Sequence, residues 1–193
     1  MTGSRGPQRD RSAEDGTAGP GPSTPAVVLI GPMGVGKSTV GRLLATRLGV
    51  SFADGDEVVV AREGRAIGDI FVDHGEPYFR AVEREVTLEL LDGHDGVLAL
   101  GGGAPMQEEI GRALAGRCVV FLDVSIADAA RRIGFDTSRP LLAVNPRATW
   151  VAMMAARRGT YEALARWRVD TAGRTPEDVV DEIVDRLGSE GPR

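Results

Sequence analysis

The chain has 193 residues, a formal net charge of −5 and a single cysteine. Its length corresponds to one domain with a tail, and its acidic balance argues against a nucleic-acid platform, which needs a basic stripe. No apolar run approaches the length of a membrane span, no secretory signal is expected, and one cysteine excludes an internal disulfide, so we expect a cytoplasmic protein.

The chain opens with a segment of low complexity. Residues 1–25 consist largely of Gly, Pro, Ser, Thr and charged residues. Such a segment cannot bury enough apolar area to offset the entropy lost on ordering. The sequence therefore predicts a disordered extension at 1–25, followed by one folded domain over residues 26–190.

A phosphate-binding sequence follows the first predicted strand. The strand, Val27–Ile30, leads into Gly31–Ser38, which fits the pattern G-x-x-x-x-G-K-[ST] and opens a predicted helix over Lys37–Leu48. In this arrangement backbone N–H groups surround nucleotide phosphates, the lysine reaches the β- and γ-phosphates, and the serine hydroxyl ligates Mg²⁺. The sequence predicts a nucleoside triphosphate site, the alternative being a Gly-rich turn without a ligand.

Two aspartates close the second predicted strand. Asp54 and Asp56 follow Ser51–Ala53, and residues two apart on a strand face the same way. Ligands of open α/β sheets bind beyond the carboxyl ends of strands. One carboxylate is expected to hold Mg²⁺ through water, while the other binds an acceptor hydroxyl and takes its proton. The alternative is a solvated Asp-Gly turn.

The next predicted elements bring an arginine and a second glycine run. Arg80 lies in the first turn of a predicted helix, Pro77–Leu91, where it can form a bidentate pair with an anionic substrate. The third strand, Val97–Leu100, ends in Gly101–Gly103, which lets the backbone approach a ligand closely. The alternative for the glycines is a flexible turn.

The rest of the chain continues the alternation of strands and helices. The predicted strands are Cys118–Leu122 and Arg168–Asp170, and the predicted helices are Gln107–Leu114, Ile126–Ile133, Ala148–Leu164 and Pro176–Leu187. This alternation predicts a three-layer α/β/α domain around a five-stranded parallel sheet. Residues 134–146, which separate two helices, are predicted to be a mobile lid that brings Arg139 over the phosphates.

Six of these features in order resemble the shikimate kinases, small P-loop proteins of the nucleoside-monophosphate-kinase branch. The resemblance covers about residues 26–187. The features are the phosphate-binding sequence through Thr39, Phe-x-Asp-x-Asp at 52–56, Phe79-Arg80 with Glu83, Leu100–Gly103, Arg139–Leu142, and Arg157 four residues before Tyr161. The resemblance implies the P-loop NTPase fold and transfer of the γ-phosphoryl of ATP to the 3-hydroxyl of shikimate, within chorismate and aromatic amino acid biosynthesis.

The resemblance also implies roles on the nucleotide side. Ser38 would ligate Mg²⁺ directly, Asp54 would support it through water, and Arg139 would stabilise charge on the transferring phosphoryl. Contacts with ATP would come from Gly34, Val35, Gly36, Lys37, Ser38, Thr39, Arg132, Arg139, Arg174 and Pro176, of which Arg132 and the Arg174–Pro176 segment pack around adenine.

On the acceptor side, the resemblance makes Asp56 the base and the ligand of the acceptor hydroxyls. Arg80 and Arg157 would clamp the shikimate carboxylate, and Gly102 would offer a backbone N–H to the ring. Because the family's proline after Arg157 is absent here, Arg158 is a second candidate for the carboxylate, although the helix register favours Arg157.

Two other functions compete with this interpretation. One is another small-metabolite kinase of the same branch, such as a gluconate kinase, which would share the loop and the sheet. The other is a non-catalytic nucleotide-binding module, which would not need the acceptor-side residues. We expect ATP and shikimate as ligands, no nucleic acid or membrane partner, and a monomer.

Overall fold

In the computed structural model of the protein, the described residues are 26–133 and 146–189, without the side chains of residues 130–133 and 146. The predicted extension at residues 1–25 therefore lies outside the described residues. So do residues 134–145 of the predicted lid, including Arg139.

The centre of the domain is a parallel sheet of five strands. The strands are β1 Val27–Ile30, β2 Phe52–Asp54, β3 Val97–Ala99, β4 Val119–Asp123 and β5 Trp167–Asp170. Their order is β2-β3-β1-β4-β5, and each neighbouring pair is parallel. All residues of β1, β3 and β4 are buried, as expected when helices cover both faces of a parallel sheet. The predicted fold class is confirmed, and each predicted strand is correct to within one residue at either end.

Helices cover both faces of the sheet. They are α1 Lys37–Leu48, α2 Gly55–Glu63, α3 Ile67–Gly93, α4 Glu108–Ala113, α5 Ile126–Ile133, α6 Pro146–Leu164 and α7 Pro176–Ser189, with a short 3₁₀-helix at Ala104–Met106. None of the helices in the described parts of the chain combines the length and the apolar character that a bilayer crossing requires.

The segment between β2 and β3 differs from its prediction. Helix α2 was not predicted, and α3 begins ten residues before the predicted start at Pro77. The backbone of α3 bends at Gly75, whose φ is +80° and ψ is 171°. Pro77 lacks the N–H that would continue the helical ladder across this bend, so the kink has an identifiable cause.

The position of Asp56 is a correction that follows from α2. β2 ends at Asp54, and Asp56 lies in the first turn of α2 rather than on the strand. The prediction that both carboxylates project from one strand is therefore wrong. Asp54 is instead the N-cap of α2, because its Oδ1 accepts a hydrogen bond from the Asp56 N–H at 3.0 Å.

A second, smaller core stabilises the α2–α3 unit. The main core surrounds the sheet, whereas Val59, Ile70, Phe79, Val82 and Val86 form a separate buried cluster. These side chains come from α2 and from both halves of α3. The unit thus has its own packing, and it holds Asp56 and the first turns after the kink beside the sheet.

Candidate active site

A cleft of about 320 Å³ lies at the carboxyl edge of the sheet. Its walls come from the phosphate-binding loop and α1, from the ends of β2 and β3, and from α2, α3 and α6. Most of the predicted site residues line it: Gly34, Gly36, Lys37, Ser38, Thr39, Asp54, Asp56, Arg80, Gly102 and Arg157. The fold therefore gathers all of the predicted acceptor-side residues and most of the predicted donor-side residues around one space.

The phosphate-binding loop is held in shape from several sides. Lys37 Nζ donates to the carbonyl oxygens of Gly31 and Pro32, at 3.0 and 3.1 Å. Trp150 Nε1, from α6, donates to the Met33 carbonyl at 3.3 Å. The side chain of Val35 is buried, so a contact of this residue with a nucleotide would have to use its backbone. The loop leads directly into α1, whose N-terminus favours negative charge.

Ser38 and Asp54 form a pair of oxygen groups beside the loop. Ser38 Oγ donates to Asp54 Oδ2 at 2.6 Å, and Asp54 is almost fully buried. Within residues 26–133 and 146–189, no group of three or more His, Cys, Asp or Glu side chains is arranged to hold a metal. Mg²⁺ is commonly held by one or two protein oxygens together with substrate phosphates and water. The Ser38–Asp54 pair fits that kind of binding.

Two carboxylates lie against the first glycine of the run after β3. A Cβ atom built on Gly101 would lie 2.5 Å from Asp56 Oδ1 and 2.7 Å from Glu83 Oε1. Burial is the main cause that raises the pKa of Glu83 above its ordinary value, and the charge of Asp56 adds to it, whereas Arg80 and Gln107 lower it. Glycine at position 101 is thus needed to leave room for the acidic side of the cleft.

Arg80 has its position fixed by two acidic residues. Its Nη1 pairs with Glu83 Oε2 at 2.6 Å, and its Nη2 pairs with Glu76 Oε1 at 3.1 Å. A side chain on Gly103 would overlap the Arg80 guanidinium. The glycine run was predicted to bring backbone close to a ligand. The structure gives it a further reason, since Gly101 and Gly103 make room for cleft-lining side chains of neighbouring elements.

Arg157 reaches the cleft from α6. Its Nη1 donates to the Gly102 carbonyl at 3.2 Å, and the hydroxyl of Tyr161, one helical turn later, donates to the same oxygen at 2.5 Å. Tyr161 is fully buried, and burial is the main cause that raises its pKa. Arg158 does not line the cleft but binds Asp123 at the end of β4. Of the two candidate arginines, Arg157 is the one that the fold places in the site.

Two of the predicted nucleotide residues, Arg174 and Pro176, lie away from the cleft. Arg174 Nη1 donates to Asp170 O at 3.1 Å, its Nη2 donates to Asp178 O at 2.7 Å, and the guanidinium also pairs with Glu182. Pro176 is the first residue of α7. Neither residue lines the cleft. Arg132 lies in α5, and its side chain is outside the described parts of the chain.

Sequence reasoning did not assign a role to several residues that shape the cleft. Gln107 Nε2 donates to Glu83 Oε2 at 3.0 Å, Tyr161 binds Gly102, and Phe71 lines the cleft from the first half of α3. The pairing of Glu83 with Arg80 could have been predicted from the sequence, because residues three apart on a helix are neighbours. The contacts of Gln107 and Tyr161 depend on the tertiary fold.

Asp123 is a buried carboxylate whose charge contributes to stability. Burial alone would raise its pKa, but hydrogen bonds from Arg158, from the Val124 N–H and from Arg168 keep the pKa below its ordinary value. A carboxyl with a lowered folded-state pKa stabilises the fold above its ordinary pKa, and this stabilisation is lost as the pH falls through the folded-state value.

We therefore expect Asp123→Asn to lower the free energy of unfolding at pH 7 by about 2 kcal/mol, a moderate value because both guanidinium groups are partly exposed. The difference from the wild type should shrink as the pH is lowered from 5 to 3, roughly the range in which such a carboxyl gains its proton. Urea unfolding across this range measures it. A difference that stays constant would contradict the assignment.

The cleft indicates the class of protein. A phosphate-binding loop between β1 and α1 faces carboxylates and arginines, which is the arrangement of a P-loop kinase that acts on a small molecule. A family model for shikimate kinase matches residues 33–188. The chain belongs to the shikimate kinase family, and it is an ATP-dependent kinase.

Curated relatives and solved structures agree with this assignment. A shikimate kinase of Streptomyces avermitilis is 52% identical over 165 residues, covering 86% of this chain and 96% of the relative. One from Thermobifida fusca is 50% identical over 169 residues, covering 88% and 98%. The solved shikimate kinase from Acinetobacter baumannii in complex with shikimate has a TM-score of 0.83 and 34% identity, covering 89% of this chain and 96% of that one.

Proposed function

We propose that the cleft binds Mg²⁺-ATP and shikimate side by side and transfers the γ-phosphoryl of ATP to the 3-hydroxyl of shikimate, giving ADP and shikimate 3-phosphate. The observation that carries this proposal is that Lys37 and Ser38 face the same cleft as Asp56, Arg80 and Arg157. The solved shikimate kinase from Acinetobacter baumannii, which has a similar fold, has shikimate bound. Family membership supports the reaction, and the geometry of the cleft supports the roles of its residues.

The donor half would bind the triphosphate. Backbone N–H groups of residues 34–39 and the N-terminus of α1 favour phosphate oxygens, and Lys37 exchanges its present bonds to loop carbonyls for the β- and γ-phosphates. Ser38 and Asp54 would hold Mg²⁺, the serine directly and the aspartate through water. The metal, when bound, neutralises charge on the phosphates. The predicted contacts of Arg132, Arg139, Arg174 and Pro176 with ATP remain part of this proposal.

The acceptor half would bind shikimate, a small anion with three hydroxyl groups. Arg80 and Arg157 provide the cationic groups for its carboxylate, and guanidinium forks suit carboxylates because they can donate two parallel hydrogen bonds. Asp56 would accept a hydrogen bond from the reacting hydroxyl. Phe71 and Phe79 provide an apolar wall of the cleft, with ring centroids 4.7 Å apart.

The reaction step would transfer the phosphoryl group directly from one bound substrate to the other. The 3-hydroxyl oxygen attacks the γ-phosphorus, the bond from that phosphorus to the bridging oxygen of ADP breaks, and the hydroxyl proton passes to Asp56. Lys37 stabilises negative charge on the phosphoryl oxygens. Positioning of the two substrates and neutralisation of charge account for most of the catalysis in such reactions.

Steady-state assays test the proposal directly. The purified protein should release ADP from ATP in the presence of Mg²⁺ when shikimate is added, and mass spectrometry should detect shikimate 3-phosphate. Without shikimate, ADP release should be at background. Turnover that depends on gluconate and not on shikimate would favour the alternative kinase, and nucleotide binding without turnover on either compound would favour a non-catalytic module. Chelation of Mg²⁺ should abolish turnover.

We also propose that the protein acts as a cytoplasmic monomer. Residues assigned to both substrates, among them Lys37, Asp56 and Arg157, line one cleft of this chain, so the proposed roles need no residue from a second copy. Light scattering coupled to size-exclusion chromatography measures the mass in solution, and a mass near 20.4 kDa would agree with the proposal.

A further inference from the structure

Two consecutive arginines on α6 point to different strands of the sheet. Arg157 lines the cleft and binds the Gly102 carbonyl just after β3, whereas Arg158 binds Asp123 at the end of β4. Consecutive residues of an α-helix are about 100° apart around its axis. The rotation of α6 that places Arg158 on Asp123 is therefore the rotation that places Arg157 over the cleft.

The contact between Arg158 and Asp123 has the geometry of an anchor. Arg158 Nη1 donates to Asp123 Oδ2 at 2.8 Å and Nη2 donates to Oδ1 at 2.9 Å, which is a two-point fork. Asp123 is 3% exposed, and its Oδ1 also accepts the Val124 N–H at 2.9 Å. A bidentate pair fixes orientation as well as distance. Because β4 lies next to the central strand, the anchor belongs to the rigid part of the fold.

Arg157 is held by single hydrogen bonds rather than by a two-point fork. It donates one hydrogen bond to the Gly102 carbonyl at 3.2 Å and also interacts with the Tyr161 hydroxyl, and its side chain is long, with several rotatable bonds. In the first half of α6, Trp150 makes a single bond at 3.3 Å to the phosphate-binding loop. The fork at Arg158 is thus a two-point restraint directly beside Arg157, and the bond from Tyr161 to Gly102 is a one-point restraint one turn later.

We propose that Arg158 is a positioning residue for substrate binding: by clamping α6 to Asp123, it directs Arg157 towards the carboxylate of shikimate. The inference rests on the proposed function, because it assumes that Arg157 binds this carboxylate. It assigns Arg158 no contact with either substrate.

Arg168 offers a matched control. It is also an arginine, and its Nε donates to Asp123 Oδ2 at 2.9 Å, but it lies on β5 rather than on α6. Arg158→Ala and Arg168→Ala both remove one guanidinium from the same carboxylate. A purely structural role would affect both variants in the same way, whereas a positioning role concerns Arg158 alone.

The test compares the KM for shikimate in Arg157→Ala, Arg158→Ala, Arg168→Ala and the Arg157→Ala/Arg158→Ala double variant. We expect Arg158→Ala to raise this KM roughly fivefold, because interaction free energies between coupled neighbouring residues typically correspond to a factor of this size. The kcat and the KM for ATP should remain nearly unchanged. Arg168→Ala should leave the KM for shikimate at the wild-type value. Adding Arg158→Ala to Arg157→Ala should change nothing further, because Arg158 acts through Arg157. Arg158→Lys, which keeps the charge but not the fork, should be intermediate.

Four results would overturn the inference. Equal increases of KM in Arg158→Ala and Arg168→Ala would show a general effect of Asp123 on the fold. Independent, multiplying effects in the double variant would show that Arg158 does not act through Arg157. A wild-type KM in Arg158→Ala, with a raised KM in Arg157→Ala, would reject the positioning role and leave the proposed function intact. A wild-type KM in Arg157→Ala would reject the carboxylate assignment as well.

Discussion

Replacement of Asp56 by asparagine is expected to lower kcat by about 10²- to 10⁴-fold, the usual contribution of a general base. Asparagine has the same shape, but it cannot accept the proton of the attacking hydroxyl. The affinity for ATP should remain near the wild-type value, because the phosphates are assigned to the loop, Lys37 and Ser38. The loss of charge should also lower the pKa of Glu83, since Asp56 is one of the groups that raise it.

Turnover in the ADP-release assay and nucleotide titration by calorimetry measure the two effects separately. Asp69→Asn is a suitable control, because Asp69 is an exposed aspartate in the first turn of α3 and does not line the cleft. This control should keep the kinetics of the wild type. Equal losses of ATP affinity and turnover in Asp56→Asn would instead assign Asp56 to the nucleotide.

The sheet was predictable because its central strands are short, continuous apolar runs, which are typical of buried parallel strands. Val27–Ile30 and Val119–Asp123 are buried along their whole length, and burial on both faces requires a continuous apolar run. The helices that pack on the sheet also show their apolar stripe in the sequence, as Val179, Val180 and Ile183 of α7 do. In these segments local pattern and tertiary packing agree.

The α2–α3 unit was not predictable in the same way, because its local signals oppose its structure. The sequence at Asp54-Gly55-Asp56 is typical of a turn, and the three valines at 58–60 have low helix propensity because they are β-branched. Gly75 and Pro77 likewise indicate a break rather than a helix of 27 residues. The separate core between α2 and α3, with Val59 and Ile70 at its centre, overrides these preferences.

The site could be predicted where a motif specifies it, and not where long-range contacts build it. The phosphate-binding loop is contiguous, so its residues were found from their spacing alone. The choice between Arg157 and Arg158 depends on the rotation of α6, which Asp123 helps to set from 35 residues away in sequence. Tyr161 binds Gly102 across 59 residues, and its role has no local signal.

Lys37→Met tests the donor half of the cleft as Asp56→Asn tests the acceptor half. It removes the cation of the phosphate-binding loop and keeps an aliphatic chain of similar length. We expect kcat to fall by about 10²- to 10³-fold, the level seen when a single group that stabilises transition-state charge is removed. The affinity for ATP should fall as well, whereas shikimate should bind with nearly the wild-type affinity, because Asp56, Arg80 and Arg157 remain in place.

Calorimetric titration with each substrate separates these effects, and Lys37→Arg is the control that keeps the charge while changing its shape. Because Lys37 also bonds the carbonyls of Gly31 and Pro32, thermal unfolding should be recorded for each variant to detect loss of the loop structure. If Lys37→Met lost shikimate binding while remaining folded, the donor and acceptor halves could not be separate parts of the cleft. The remaining outcome is that Asp56→Asn leaves the affinity for ATP unchanged and Lys37→Met leaves the affinity for shikimate unchanged. Phosphoryl transfer would then take place between two independently built half-sites, whose relative positions are set by the sheet.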